Sequence, residues 1–284
     1  MKLIINADDF GLTEGVNQAI IDLAAIGTLS STTVMVNMPF ANQAIKLKEY
    51  PSFSIGLHFN LTEGKPISNV QKCSSLVDAE GNFYTYSTFI KKLKNGAIKQ
   101  EHILEELQAQ YNKLTEILNC SPSHIDSHQN IHKQMQVAKI LIHFSNQKAP
   151  QKLKLRLPKR YLVNNYGFTS NLKRKNFIFK FNYFLSNLYL EYLSKKYANH
   201  FLTTAGELHF NTLKKVDIFN WIINTEKNID GANVYEIPCH PAVDVSGLSK
   251  SKLTDKRLVE YKALSSPSFK KAINKFELLS FNDL

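Results

Sequence analysis

The sequence predicts an α/β protein with mostly parallel strands, wound either as a barrel or as a doubly wound sheet. Short apolar and β-branched runs alternate with stretches of helical period, in about seven βα units. Glycine, proline and asparagine punctuate the junctions between them. The third observation is positional. Aspartates, histidines and an arginine recur where strands stop, the end at which parallel α/β folds gather their ligands.

Leu3-Ile4-Ile5 reads as a short strand ending at Asn6-Ala7-Asp8-Asp9, with Gly11 breaking the chain after it. Thr13 is placed to cap a helix whose apolar positions Val16, Ile20, Leu23 and Ala24 recur at helical spacing, and Gly27 ends it. Residues 31–36 are rich in β-branched side chains and read as a strand. Residues 42–50 read as a short helix, 53–59 as a third strand and 64–97 as irregular chain. The next helix carries Ile103, Leu107, Tyr111, Leu114 and Leu118 on one face, and Asn119-Cys120-Ser121-Pro122 stops it. His124-Ile125-Asp126 opens a fourth strand, 137–144 a helix, and 153–157 alternates as a fifth strand ending at Pro158. Residues 159–200 break the rhythm, being basic and aromatic, with an amphipathic pattern from 181 to 192. The rhythm resumes with a strand at 201–203, a helix near 216–225 and a strand at 233–237. A helix near 253–264 follows, and 276–279 closes the sheet.

At 284 residues and 43% apolar, the chain can bury a sizeable core. No run of about 18 apolar residues is present to span a membrane. The start, MKLIINADDFG, turns acidic too soon for a secretory signal. Cys73, Cys120 and Cys239 are odd in number and widely spaced, which argues against a disulfide framework or a zinc ribbon. A reduced, cytosolic protein is expected. The net charge of +11 is local, because residues 148–200 hold twelve Lys/Arg against Glu191 alone and the rest is neutral. That distribution disfavours a globally basic, nucleic-acid-binding surface.

Asp8 and Asp9 end the first strand, His58 the third, His124 to His132 the fourth, Arg156 the fifth, and His240 a late one. On a barrel these groups converge on one mouth. One carboxylate and two imidazoles make three ligands and leave positions open for water, the pattern of a catalytic metal site. A second carboxylate can take a proton from water, a further histidine can protonate a leaving group, and hydrolysis of an amide or ester follows. Asp126 is placed to orient a neighbour, His124 points the same way by two-residue alternation, and His132 lies past the turn. His102, His143 and His200 read as surface residues, and His209 as structural.

NADDFG at 6–11, GLHFNLTEGKP at 56–66, HIDSH at 124–128 and CHPA at 239–242 together resemble the YdjC-like carbohydrate deacetylases, in the family's order. The resemblance runs from Met1 to about Phe276. It implies a single domain over 1–284, a deformed (β/α) TIM-like barrel with a helical, basic-aromatic insertion at about 159–200. It also implies deacetylation of an N-acetylated sugar with one divalent ion, Zn2+ or Mg2+. Residue by residue it makes Asp9, His58 and His128 the metal ligands, Asp8 or Asp9 the general base and His240 the general acid. Arg156 becomes the group that keeps the base ionised. His132, Asp126 and His124 are, from their positions, the expected substrate-binding residues. The chain departs at Asn130, where many relatives have histidine, and the Asp9–His58–His128 set stays intact. A homodimer is a further expectation.

Two other classes share some of these features. The same ligand set suits a metal-dependent hydrolase of another amide or a phosphoester, or a non-haem iron oxygenase. A non-enzymatic binder of anionic polymer or lipid would work through residues 148–200 and show steep salt dependence.

Overall fold

Nine residues, Lys2–Phe10, form β1, a strand that three others share. In this computed structural model the described residues are 2–148, 153–156, 188, 192, 201–202, 234–248 and 253–284. The other strands are β2 (Ser31–Val34), β3 (Ser54–Phe59), β4 (His124–Ser127), β5 (Lys154–Arg156), β6 (Phe201–Leu202), β7 (Val234–Cys239) and β8 (Glu277–Leu278). Their order is β6-β5-β4-β3-β2-β1-β7, with β8 beside β1, and every pairing is parallel. From β1 to β6 each strand lies next to its predecessor, and β7 returns to the free edge of β1. That is the winding of a barrel. A doubly wound sheet would reverse direction at a switch point.

Among the described residues the continuous α-helices are α1 (Glu14–Ala25), α2 (Tyr86–Lys94), α3 (Gln100–Leu118), α4 (Met135–Gln147), α5 (Thr254–Leu264) and α6 (Pro267–Ile273). Thr13 caps α1 as its position predicts, its Oγ1 accepting from the Val16 N–H at 3.2 Å. The predicted face of α3 is buried throughout, and Asn119 ends the helix in a left-handed conformation. Two expectations change. The irregular stretch 64–97 contains α2, which buries Phe89 and Leu93, and Ala41–Glu49 is a 3-10 helix. A nine-residue helix between Gly81 and Gly96 shows too few apolar repeats to stand out by period. Helix α6, which sequence reading left unassigned, has Ser266 as its cap and Pro267 in its first turn. The expected insertion at 159–200 and the helix near 216–225 lie outside the described residues, apart from helical Leu188 and Tyr192.

The strands alternate between an apolar outer face and a polar inner one. Leu3, Ile5, Ala7, Val34, Ile55, Leu57, Ile125, Leu155, Tyr235 and Ile237 join one large core with the helices. The neighbours between them, Asn6, Thr33, Ser54, His58, His124, Asp126, Arg156 and Glu236, are buried on the other side of the sheet. Phe281 closes one end of that interior against Ile4. The polar side chains run from there to the carboxyl ends of the strands. Among the described residues no helix is long and apolar enough to cross a membrane.

Candidate metal and acid-base centre

A regular strand would send Asp8 and Asp9 to opposite faces. Here three steps of β1, from Ala7 to Phe10, span only two of β2, from Thr32 to Val34. This bulge and the positive φ of Asp9, 70°, turn both carboxylates to the same mouth. Asp9 Oδ1 lies 3.3 Å from His58 Nε2 and 3.1 Å from His128 Nδ1. These three residues offer ligand atoms that all fall within 4.8 Å of one another, and all three are buried. Asp8, His58 and Asp126 form a second such group.

Each member is held from behind. His58 Nδ1 meets Asp126 Oδ1 at 2.7 Å and Thr33 Oγ1 at 3.0 Å. Arg257, buried on α5, donates from Nη2 to Asp9 Oδ2. Arg156 Nη1 donates to Asp8 Oδ1 at 3.2 Å and to Asp126 Oδ2, while Nε donates to Glu236 at 3.0 and 3.2 Å. Asn6 Nδ2 donates to Asp8 Oδ1 at 2.7 Å. His240 follows β7, its Nε2 lying 3.5 Å from Asp8 Oδ2 and its backbone N–H held by Glu260 on α5. His128 Nε2 meets Glu63 Oε2 at 3.1 Å.

The electrostatics follow from this wiring. Burial alone would raise the Asp9 carboxyl, but the Arg257 guanidinium and the imidazoles of His128 and His58 outweigh it and hold it well below the usual range. Burial disfavours a charged His58, yet Asp126 beside it prevails and pushes it up to about 10. His128 is likewise raised against its burial by Asp9 and Glu63. Asp126 is held low against burial by His58 and Arg156. Among the described residues, Arg156 meets Asp8, Asp126 and Glu236, and Arg257 meets Asp9. The donor set of one carboxylate and two imidazoles fits a metal in its chemistry and spacing.

The structure brings Asp8, Asp9, His58, Asp126, His128, Arg156 and His240 together. His132 is tied to Ser127, whose Oγ lies 2.6 Å from its Nδ1 and 2.8 Å from its backbone N. Gln129 and Asn130 stand between them with φ of 53° and 57°, so the turn after His128 needs two left-handed residues. Asparagine takes that conformation readily. His124 opens β4, is fully buried, and packs on Phe281 at 4.1 Å between ring centroids. A Cβ on Gly56 would stand 2.5 Å from its ring, so that glycine makes room for it. His143 is exposed, and His102 is half-buried against Ser75, while His200 and His209 lie outside the described residues. Sequence reading missed Thr33, Glu63, Glu236, Arg257 and Glu260. Glu63 stood in a quoted motif, and the three-residue spacing of Arg257 and Glu260 was the available signal on α5.

Residues 2–275 match the family described as YdjC-like protein. The chain is 31% identical to a chitooligosaccharide deacetylase of Yersinia enterocolitica over 99% of its length and 98% of that protein's. It is 32% identical to one of Yersinia pestis with the same coverage. Among solved structures it is similar to an Enterococcus faecalis protein named for cellobiose-phosphate cleavage, with a TM-score of 0.74 and 26% identity over 99% of this chain and 98% of that one. The fold is α/β and TIM-like. The chain belongs to the YdjC-like family.

Proposed function

We propose that this chain is a metal-dependent deacetylase of N-acetylated sugars, of the chitooligosaccharide class that its relatives' names state. The observation that carries the reading is the convergence of Asp9 on β1, His58 on β3 and His128 just after β4 within 4.8 Å, with Asp8 sharing His58 as a neighbour. Asp9, His58 and His128 would hold the ion. When bound there, a divalent ion supplies a water of lowered pKa and a Lewis acid for the acyl oxygen.

The geometry supports a division of labour between the two aspartates. Asp9 has both oxygens engaged, Oδ1 with the imidazoles and Oδ2 with Arg257, which makes it a ligand. Asp8 keeps Oδ2 toward the mouth and is 14% exposed in its side chain, against 4% for Asp9. Asp8 Oδ2 is therefore the base that takes the proton of the attacking water as the new C–O bond forms. His240 Nε2, in a side chain 20% exposed, gives a proton to the sugar nitrogen as the C–N bond breaks. Acetate and a free amine result. Arg156 holds Asp8 Oδ1 and leaves Oδ2 to act. His124 and Asp126 support the cluster from inside the barrel, and Asp126 orients His58.

Acetate release from N-acetylated chitooligosaccharides tests this reading. Turnover is expected from the wild type, with loss on chelation and recovery when Zn2+ or Mg2+ is restored. Full turnover by chelated, metal-free protein would reject it.

A further inference from the structure

The loop after β3 is secured by more buried polar bonds than a connection requires. Asn60, fully buried, accepts on Oδ1 from the N–H groups of Thr62 and Glu63 at 3.0 and 3.1 Å. Its Nδ2 donates to the Glu63 carbonyl at 2.7 Å and to Asn37 Oδ1 at 3.0 Å. Asn37 Nδ2 donates in turn to the carbonyls of Glu63 and Lys65. From α3, Gln110 spans the Asn60 peptide, donating to its carbonyl at 2.7 Å and accepting from its N–H at 3.1 Å. Glu106, one helical turn back, accepts from Gln110, from the N–H groups of Ile67 and Ser68, and from the Ser68 hydroxyl. Gly64 has φ of +76°, and a Cβ there would lie 3.2 Å from Asn37 Nδ2 and from Met38 Sδ.

A satisfied network of this kind fixes one geometry, because breaking a bond in its buried part leaves a polar group without a partner. The side chain it presents is Glu63, whose Oε2 meets His128 Nε2 at 3.1 Å. We propose that Glu63 is the positioning residue for His128, fixing by this bond which imidazole nitrogen faces Asp9. An Nε2–H donated to Glu63 leaves Nδ1 as the electron-pair donor, and Nδ1 is the atom 3.1 Å from Asp9 Oδ1. Strand β3 thereby supplies His58 itself and, five residues on, the carboxylate that orients the imidazole following β4. The inference rests on the metal reading above and deepens it.

The test is calorimetric titration of the metal-stripped full chain with Zn2+, paired with acetate-release kinetics and thermal melts. Wild type, Glu63→Gln, Glu63→Ala and Glu105→Gln are compared, the last altering an exposed neighbour of Glu106 that pairs with Lys72. Glu63→Ala is expected to weaken Zn2+ binding about 10–100-fold and to lower kcat with little change in KM. Glu63→Gln, which keeps one acceptor oxygen, is expected to fall between wild type and Glu63→Ala, and it decides the matter where the alanine variant melts early. Glu105→Gln is expected to change neither. Unchanged Zn2+ affinity in both Glu63 variants would overturn the inference while leaving the deacetylase reading standing, as would a rise in KM alone, the mark of a substrate contact. A wild type that binds neither Zn2+ nor Mg2+ would instead remove the metal reading and this inference with it.

Discussion

Two histidines at either end of one four-residue strand are shifted in opposite directions. His124 opens β4 and His128 follows its last residue, and both side chains are buried. Around His124 stand Phe281, Gly56 and the Ser123 hydroxyl. Burial, with Arg156 and His58 adding to it against Asp126, pushes this imidazole down to about 3, so it is a neutral filler. Around His128 stand Asp9 and Glu63, which overcome the same burial and raise it. Burial, with cations nearby, therefore silences a histidine. Carboxylates on two sides turn another buried one into a candidate ligand.

The sharpest way to break this contrast is to remove each ring in turn. His128→Ala is expected to abolish ion binding, with a loss of turnover beyond the roughly 100-fold that marks the removal of an outer partner. His124→Leu is expected to leave the metal content unchanged. Metal analysis and acetate release on both variants check the pair, and equal metal loss in the two would erase the distinction.

A smaller effect sharpens it. His124 has a folded pKa of about 3 against 6.5 unfolded. Above pH 6.5 it is neutral in both states and adds no pH dependence. As pH falls below 6.5 the unfolded chain takes up a proton that the folded chain refuses, so stability declines toward pH 3. The decline from this group is at most about 1.4 kcal/mol per pH unit. His124→Leu removes it. The stability gap between wild type and variant is expected to narrow as pH falls, measured by urea unfolding at several pH values. Parallel curves would contradict the neutral buried state.

Much of the architecture was legible because β strands and helices leave periodic traces. Thr13 announced its cap, the apolar face of α3 its burial, and the strand ends placed Asp8, Asp9, His58, Arg156 and His240 at one mouth. The bulge that turns both aspartates the same way left no such trace, since it depends on the register between β1 and β2. Arg257 and Glu260 were missed for a related reason. Charged residues three apart on a helix read as a solvated face, and only the fold turns that face onto Asp9 and His240. Glu106 and Gln110 interrupt the buried face of α3 with polar groups. Their purpose shows only when the loop they hold is in place.

The most direct measurement counts metal and turnover together in Asp8→Asn. If Asp9, His58 and His128 hold the ion and Asp8 moves the proton, the variant binds one ion per chain like the wild type. Its acetate release then falls by about 10²–10⁴-fold, the usual contribution of a general base. Loss of the ion along with turnover would make Asp8 a ligand, and wild-type turnover would take the base away from it; either result contradicts the assignment.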